Sequence, residues 1–306
     1  MKQLKHIVLI GLLVLSLAGV VGCSTNGSGN TTTSAGTSDT TVSSSSEAST
    51  EKPIIAVTIV PEQTFAEAVC GDLAEVITMV PPGNSPENYE PTAEEMEKFS
   101  DASLYFSIGV PTEEANILPN VGNVKVVVLQ DAVSAVYPER TFESGERDPH
   151  IWLSPKRVKV MVETIAREMS ELDKANKETY EKNAEAYIEQ LDALDKQITS
   201  ALEGVQSKKF IVYHPAFGYF ADDYGLTMYA LEEDGKEATA QHLQDMVDLA
   251  KKENIKVIFY QEEIDSSQSA AFAEEIGGKT MQLAPLAANY IENLKSMADL
   301  MAEVMQ

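Results

Sequence analysis

The chain has 306 residues, 23 Lys and Arg against 48 Asp and Glu, and a formal net charge of −25. So acidic a chain would be repelled by phosphate backbones, which excludes nucleic acid as a partner. Two cysteines cannot build a multi-disulfide scaffold or a four-cysteine zinc site, and with four histidines any metal site must draw on nearly all of them.

Lys2 and Lys5 precede an apolar run over residues 7–22 that ends in small residues before Cys23. A positive start, a short apolar stretch and a small-residue end read as a secretory signal over 1–22 rather than a membrane span. The tetrapeptide Val20-Val21-Gly22-Cys23 resembles the bacterial lipobox, which implies cleavage before Cys23 and lipidation of its thiol. The plainer alternative is an ordinary signal peptide with an incidental cysteine. Cys70 is then the remaining thiol, expected as a buried helical residue. Residues 24–50 are Ser or Thr at 17 of 27 positions, too polar to offset the entropy of ordering. Residues 23–52 are therefore expected to form a flexible tether. The expected location is outside the cytoplasm, anchored to a bacterial membrane through Cys23.

From residue 53 short β-branched runs alternate with helical patterns. Strands are predicted over 54–60, 75–80, 104–108 and 125–129, with helices over 62–70 and 92–99. After position 207 the alternation resumes, with strands over 209–213, 226–231, 256–260 and 279–283. Helices are predicted there over 216–224, 240–252, 267–276 and 288–305. Such alternation implies an α/β protein with two mostly parallel sheets covered by helices on both faces. Between the halves, Ser154-Pro155 supplies an N-cap and a first-turn proline for one helix. A second helix runs from about 176 to 203, a span of about 42 Å at helical rise. The expected organisation is a first lobe over 53–175, a connecting helix over 176–203 and a second lobe over 204–306.

Removal of the leader takes His6 and leaves His150, His214 and His242. His242 lies early in an amphipathic helix and reads as a packing residue. His150 lies in a loop just before the Ser154 cap, and His214 ends a strand. Ligands of parallel α/β sheets bind beyond the carboxyl ends of strands, so both are candidate metal ligands. A strand-end histidine that merely satisfies the core is the alternative.

Three segments carry a resemblance. Residues 80–92 (VPPGNSPENYEPT), 148–155 (DPHIWLSP) and 214–226 (HPAFGYFADDYGL) resemble, in order, motifs of the metal-binding solute-binding lipoproteins of ABC importers, the cluster A-I or ZnuA-like family. The stretches 180–191 and 256–285 are similar to its backbone helix and its closing strand–helix–strand unit. The likeness covers nearly all of 53–306. It implies two lobes, each with a parallel four-stranded sheet flanked by helices, joined by one long rigid helix, with the metal site in the cleft between them.

By that resemblance His150 and His214 bind the metal. The family's usual first-lobe histidine is replaced by Glu87, a competent carboxylate ligand for zinc or manganese; the alternative for Glu87 is an exposed loop acid. The family position often held by Asp is Ala284, which cannot coordinate. Gln261 stands where relatives often carry Glu, and its carbonyl oxygen is expected to coordinate or to orient a ligand or water, with Glu262 and Glu263 in reserve. Asp148 either fixes the His150 tautomer or caps its turn. Trp152, Phe217 and Tyr219 are expected in the core or the cleft walls. The resemblance implies capture of a divalent cation as cargo, Zn2+ ahead of Mn2+, and delivery to an ABC-transporter permease by a monomer. Two alternatives differ in class: a surface adhesin on the same fold, and a hydrolase using zinc-bound water with Glu262 as base.

Overall fold

The computed structural model describes residues 52–232, 236–264 and 267–306. The expected signal peptide over 1–22, Cys23 and all but the last residue of the expected tether over 23–52 lie outside the described residues. Among the described residues no helix is long and apolar enough to cross a membrane.

Two parallel four-stranded sheets organise the chain. The first comprises β1 (Ile54–Val57), β2 (Glu75–Thr78), β3 (Leu104–Ser107) and β4 (Lys125–Val128), in the order β2-β1-β3-β4. The second comprises β5 (Lys209–Val212), β6 (Thr227–Ala230), β7 (Val257–Gln261) and β8 (Lys279–Leu283), in the matching order β6-β5-β7-β8. Each sheet therefore reverses its winding once, between β1 and β3 and between β5 and β7. Such a reversal opens a crevice at the carboxyl ends of the strands.

The helices are α1 (Val60–Cys70), α2 (Ala93–Ser100), α3 (Leu129–Ser134), α4 (Pro155–Leu172), α5 (Lys177–Glu203), α6 (Gly218–Tyr224), α7 (Ala240–Glu253), α8 (Ser267–Glu275) and α9 (Tyr290–Val304). Two details differ from the sequence reading beyond shifts of a residue or two at element ends. Strand β1 stops at Val57 instead of Val60, because Pro61, with its fixed backbone angle and missing N–H, sits in the first turn of α1. Helix α3 was not expected; it follows β4 directly, with no polar cap to announce it.

Side-chain alternation splits each sheet between two cores. Ile55, Val57, Phe106, Phe210, Val212 and Phe259 face one continuous interior shared by both lobes. Ala56, Ile77 and Tyr105 face a separate outer core of the first lobe, and Ile211, Ile258 and Phe272 face that of the second. Helix α5 runs through the shared interior. Its buried residues Tyr180, Ala184, Tyr187, Leu191, Leu194, Ile198 and Leu202 recur every three or four positions, one helical stripe. At 27 residues it is about 40 Å long. Helix α9 packs against it, and its Leu294, Ala298 and Met301 lie in the same core. The lobes are thus cemented by apolar packing along one stiff rod.

Candidate metal centre

Glu87, His150 and His214 come from three separate segments. Glu87 lies in the loop between β2 and α2. Its backbone N–H donates to Ser85 Oγ at 3.2 Å. The loop is pinned from behind: the Thr112 N–H donates to the Pro86 carbonyl at 3.1 Å, and Asn116 Nδ2 to the Tyr89 carbonyl at 2.9 Å. His150 directly precedes the short 3-10 turn Ile151–Leu153, which runs into α4. The α4 start is capped as its sequence suggests, with Ser154 Oγ accepting from the Arg157 N–H at 3.2 Å. His214 lies two residues beyond β5, at the reversal point of the second sheet.

The structure brings these three together. His150 Nε2 and His214 Nε2 are 3.1 Å apart, and Glu87 Oε1 is 3.6 Å from His214 Nε2. Ligand atoms around a tetrahedral ion bound at 2.0–2.1 Å are separated by about 3.3 Å, between those two distances. Among the described residues this is the one cluster of three His, Cys, Asp or Glu side chains drawn close enough to share an ion. Both imidazoles are buried, while Glu87 keeps partial contact with solvent.

The far nitrogens of both rings meet carboxylates. His150 Nδ1 is 2.8 Å from Asp148 Oδ1, and His214 Nδ1 is 2.7 Å from Glu232 Oε2. A carboxylate that accepts from Nδ1 orients the ring and turns Nε2, the other possible ligand atom, toward the facing imidazole. Two ring nitrogens 3.1 Å apart in a buried site need a cation between them, either a shared proton or a metal ion. With Glu87 beside them, the three side chains are placed so that they could hold one metal ion.

Asp148 thus orients His150 and also accepts its backbone N–H at 3.0 Å. Glu232 is the residue that the sequence reading missed. Strand register pairs Val212 with Ala230; two residues further on, the same row carries His214 opposite Glu232. On the other side, Val212 pairs with Phe259, which carries the row on to Gln261. The available signal was an acid just past the strand neighbouring β5, visible only once β6 is known to lie beside it.

Gln261 is buried at the end of β7 and shares with His214 the lining of a cavity of about 10 Å³. Glu262 instead accepts from Gln282 Nε2 at 3.1 Å, and Glu263 is a half-buried acid in the turn after β7 whose carboxyl is pushed up by burial. Neither joins the cluster. His242 lies apart on α7, with Nε2 3.0 Å from the Ala230 carbonyl. Trp152, Phe217 and Tyr219 are buried, and the Trp152 ring stands 5.0 Å from that of His150. Cys70 is buried in α1, and desolvation pushes its thiol up to about 12, out of range of ordinary thiolate chemistry.

Residues 55–304 match the family model described as ZnuA, zinc-uptake complex component A, periplasmic. The chain belongs to the ZnuA family. ZnuA-type proteins are metal-binding solute-binding proteins, not enzymes, so the hydrolase alternative gives way. The zinc-binding lipoprotein AdcA of Streptococcus pneumoniae serotype 4 is 33% identical over 258 residues, 79% of this chain and 52% of AdcA. The chain spans about half the length of that relative. The high-affinity zinc uptake system protein ZnuA of Bacillus subtilis strain 168 is 30% identical over 256 residues, covering 77% of this chain and 79% of that protein. A crystal structure of ZnuA superposes with a TM-score of 0.78 at 35% identity, covering 84% of this chain and all of that one.

Proposed function

We propose that this protein captures Zn2+ outside the cytoplasm and hands it to an ABC-transporter permease. His150 and His214 bind through Nε2 and Glu87 through a carboxylate oxygen. Gln261, directly or through a water that it holds, completes the shell. The chain works as a monomer held to the membrane by a lipid on Cys23. A first lobe over 53–175 and a second over 204–306 flank the cleft, joined by the helix over 176–203.

The observation that carries this reading is the 3.1 Å approach of two Nε2 atoms, each with its Nδ1 held by a carboxylate. Neutral imidazoles with one carboxylate form a compact nitrogen-rich set suited to Zn2+, whereas Mn2+ favours more oxygens. The names of the AdcA and ZnuA relatives point to the same ion.

Calorimetric titration of the mature protein with Zn2+ and with Mn2+, beside His150→Ala and His214→Ala, tests it. One Zn2+ per chain, tighter than Mn2+ and lost in both variants, is the expected result. Failure to bind any divalent ion would overturn it and favour the adhesin alternative.

A further inference from the structure

Asp148 has a second partner, and that partner reaches the other lobe. Its Oδ1 takes the His150 imidazole, while its Oδ2 lies 3.3 Å from Arg140 Nε. The same guanidinium donates through Nη1 to Asp222 Oδ2 at 2.6 Å. Arg140 lies on the first-lobe segment between α3 and the 3-10 turn, whereas Asp222 lies on α6 of the second lobe. Helix α6 starts four residues after His214. One side chain therefore joins the residue that orients His150 to the helix that follows His214.

The surroundings are built for this link. The Arg140 N–H donates to Tyr219 Oη at 3.0 Å, and the Tyr219 hydroxyl donates to the Asp148 carbonyl at 3.2 Å. The Asp148 N–H donates back to the Arg140 carbonyl at 3.0 Å. Gly218 opens α6 against the pair: a Cβ there would collide with Arg140 Nε and stand 2.8 Å from Asp148 Oδ2. Only a glycine lets the guanidinium–carboxylate pair lie on the helix backbone. Asp148 is 1% exposed. A carboxylate buried that deeply keeps a fixed orientation only while its charge is answered on both oxygens.

We propose that Arg140 is a cross-lobe positioning residue, holding Asp148 so that His150 Nε2 faces His214 and tying that alignment to α6 through Asp222. The inference rests on the metal-binding reading above. Metal capture and the seating of the lobes are then coupled through one guanidinium: whatever shifts α6 also shifts His150.

The full chain and its Arg140→Gln, Arg140→Lys, Asp222→Asn and Arg140→Gln/Asp222→Asn variants test the proposal, with folding checked by circular dichroism. Three quantities are read: the zinc Kd by chelator competition, the visible spectrum of the Co2+ form, and the His150 Nδ1 proton in 15N NMR of metal-free protein. Arg140→Gln is expected to raise Kd by about 10–100-fold, the usual effect of losing a partner behind a metal ligand. It should also change the Co2+ bands and lose the protected Nδ1 proton, while Arg140→Lys recovers part of each. Asp222→Asn should weaken binding less, and add nothing to Arg140→Gln. Wild-type Kd and Co2+ spectrum in Arg140→Gln would overturn the proposal, and multiplying effects in the double variant would overturn its cross-lobe half. Should Arg140→Gln fail to fold, an unchanged Kd in Asp222→Asn overturns it instead. If the parent protein binds no metal, the metal-binding reading fails, and the metal-free Nδ1 proton still decides whether Arg140 positions His150.

Discussion

Trp152 Nε1 donates to the Pro285 carbonyl at 3.1 Å, joining the turn after His150 to the loop after β8 of the other lobe. Tyr290, at the start of α9, returns the link by donating its hydroxyl to the Trp152 carbonyl at 2.7 Å. Both contacts are buried, and the shared core continues beneath them along α5. Wide opening of the cleft would have to break buried hydrogen bonds and expose apolar surface together. Small-angle scattering of the metal-free and zinc-loaded protein should therefore give radii of gyration equal to within about 1 Å, since preorganised binding moves the backbone by no more than about that much. A larger change would show a hinge that this packing does not contain.

Glu232 Oε2 lies 2.7 Å from His214 Nδ1, so Glu232→Gln leaves Glu87, His150 and His214 in place and loosens one imidazole. Zinc affinity by chelator competition should fall about 10–100-fold, with one ion per chain retained. An unchanged affinity would mean that the β5 strand end alone fixes the imidazole.

Arg157 and Asp223 form an ion pair across the lobes at 2.9 Å, 4% and 11% exposed. Ser154 Oγ also donates to Asp223, and the guanidinium stacks 4.3 Å from the Tyr219 ring centroid. Removing one partner strands a buried charge, so Asp223→Ala should cost about 3–5 kcal/mol in urea unfolding. Replacing both, as Arg157→Met/Asp223→Leu, should cost less than Asp223→Ala. An additive loss would point to packing rather than charge.

Glu62 is fully buried in the first turn of α1. Its Oε2 accepts the N–H groups of Thr58 and Ile59, while burial, with the nearby Glu113 carboxylate, pushes its carboxyl well above the usual range. Glu113 itself is met by the Ile108 and Gly109 N–H groups at 2.9 Å. Below the unfolded carboxyl value of about 4.3 both states of Glu62 hold the proton; as pH rises towards the raised folded value, stability is lost. Glu62→Gln removes that loss. Its stability relative to the parent, measured by urea unfolding, should therefore increase from pH 5 to pH 8. An equal difference at both pH values would show that Glu62 does not keep the proton.

Much of the site was legible in the chain because its parts are local. The strand–helix alternation follows from side-chain periodicity, and the Ser154-Pro155 start of α4 from capping chemistry. His150 and His214 stand out as scarce residues placed at element ends, where a crevice forms. Glu87 could be named only through a family likeness, since nothing in its own loop separates it from the many other acids. Partners across the fold stayed invisible. Glu232 faces His214 because β6 lies beside β5 in one register, and Arg140 meets Asp222 because two lobes close on each other. Nothing in the chain announces that Glu62 and Glu113, two acids among 48, are buried near each other. The sequence by itself determined most of the strands and helices, though not α3, because backbone propensity and apolar spacing act over a few residues. Which acids are solvated surface and which hold an imidazole in place was decided by tertiary packing alone, since burial and partner distance belong to the folded chain.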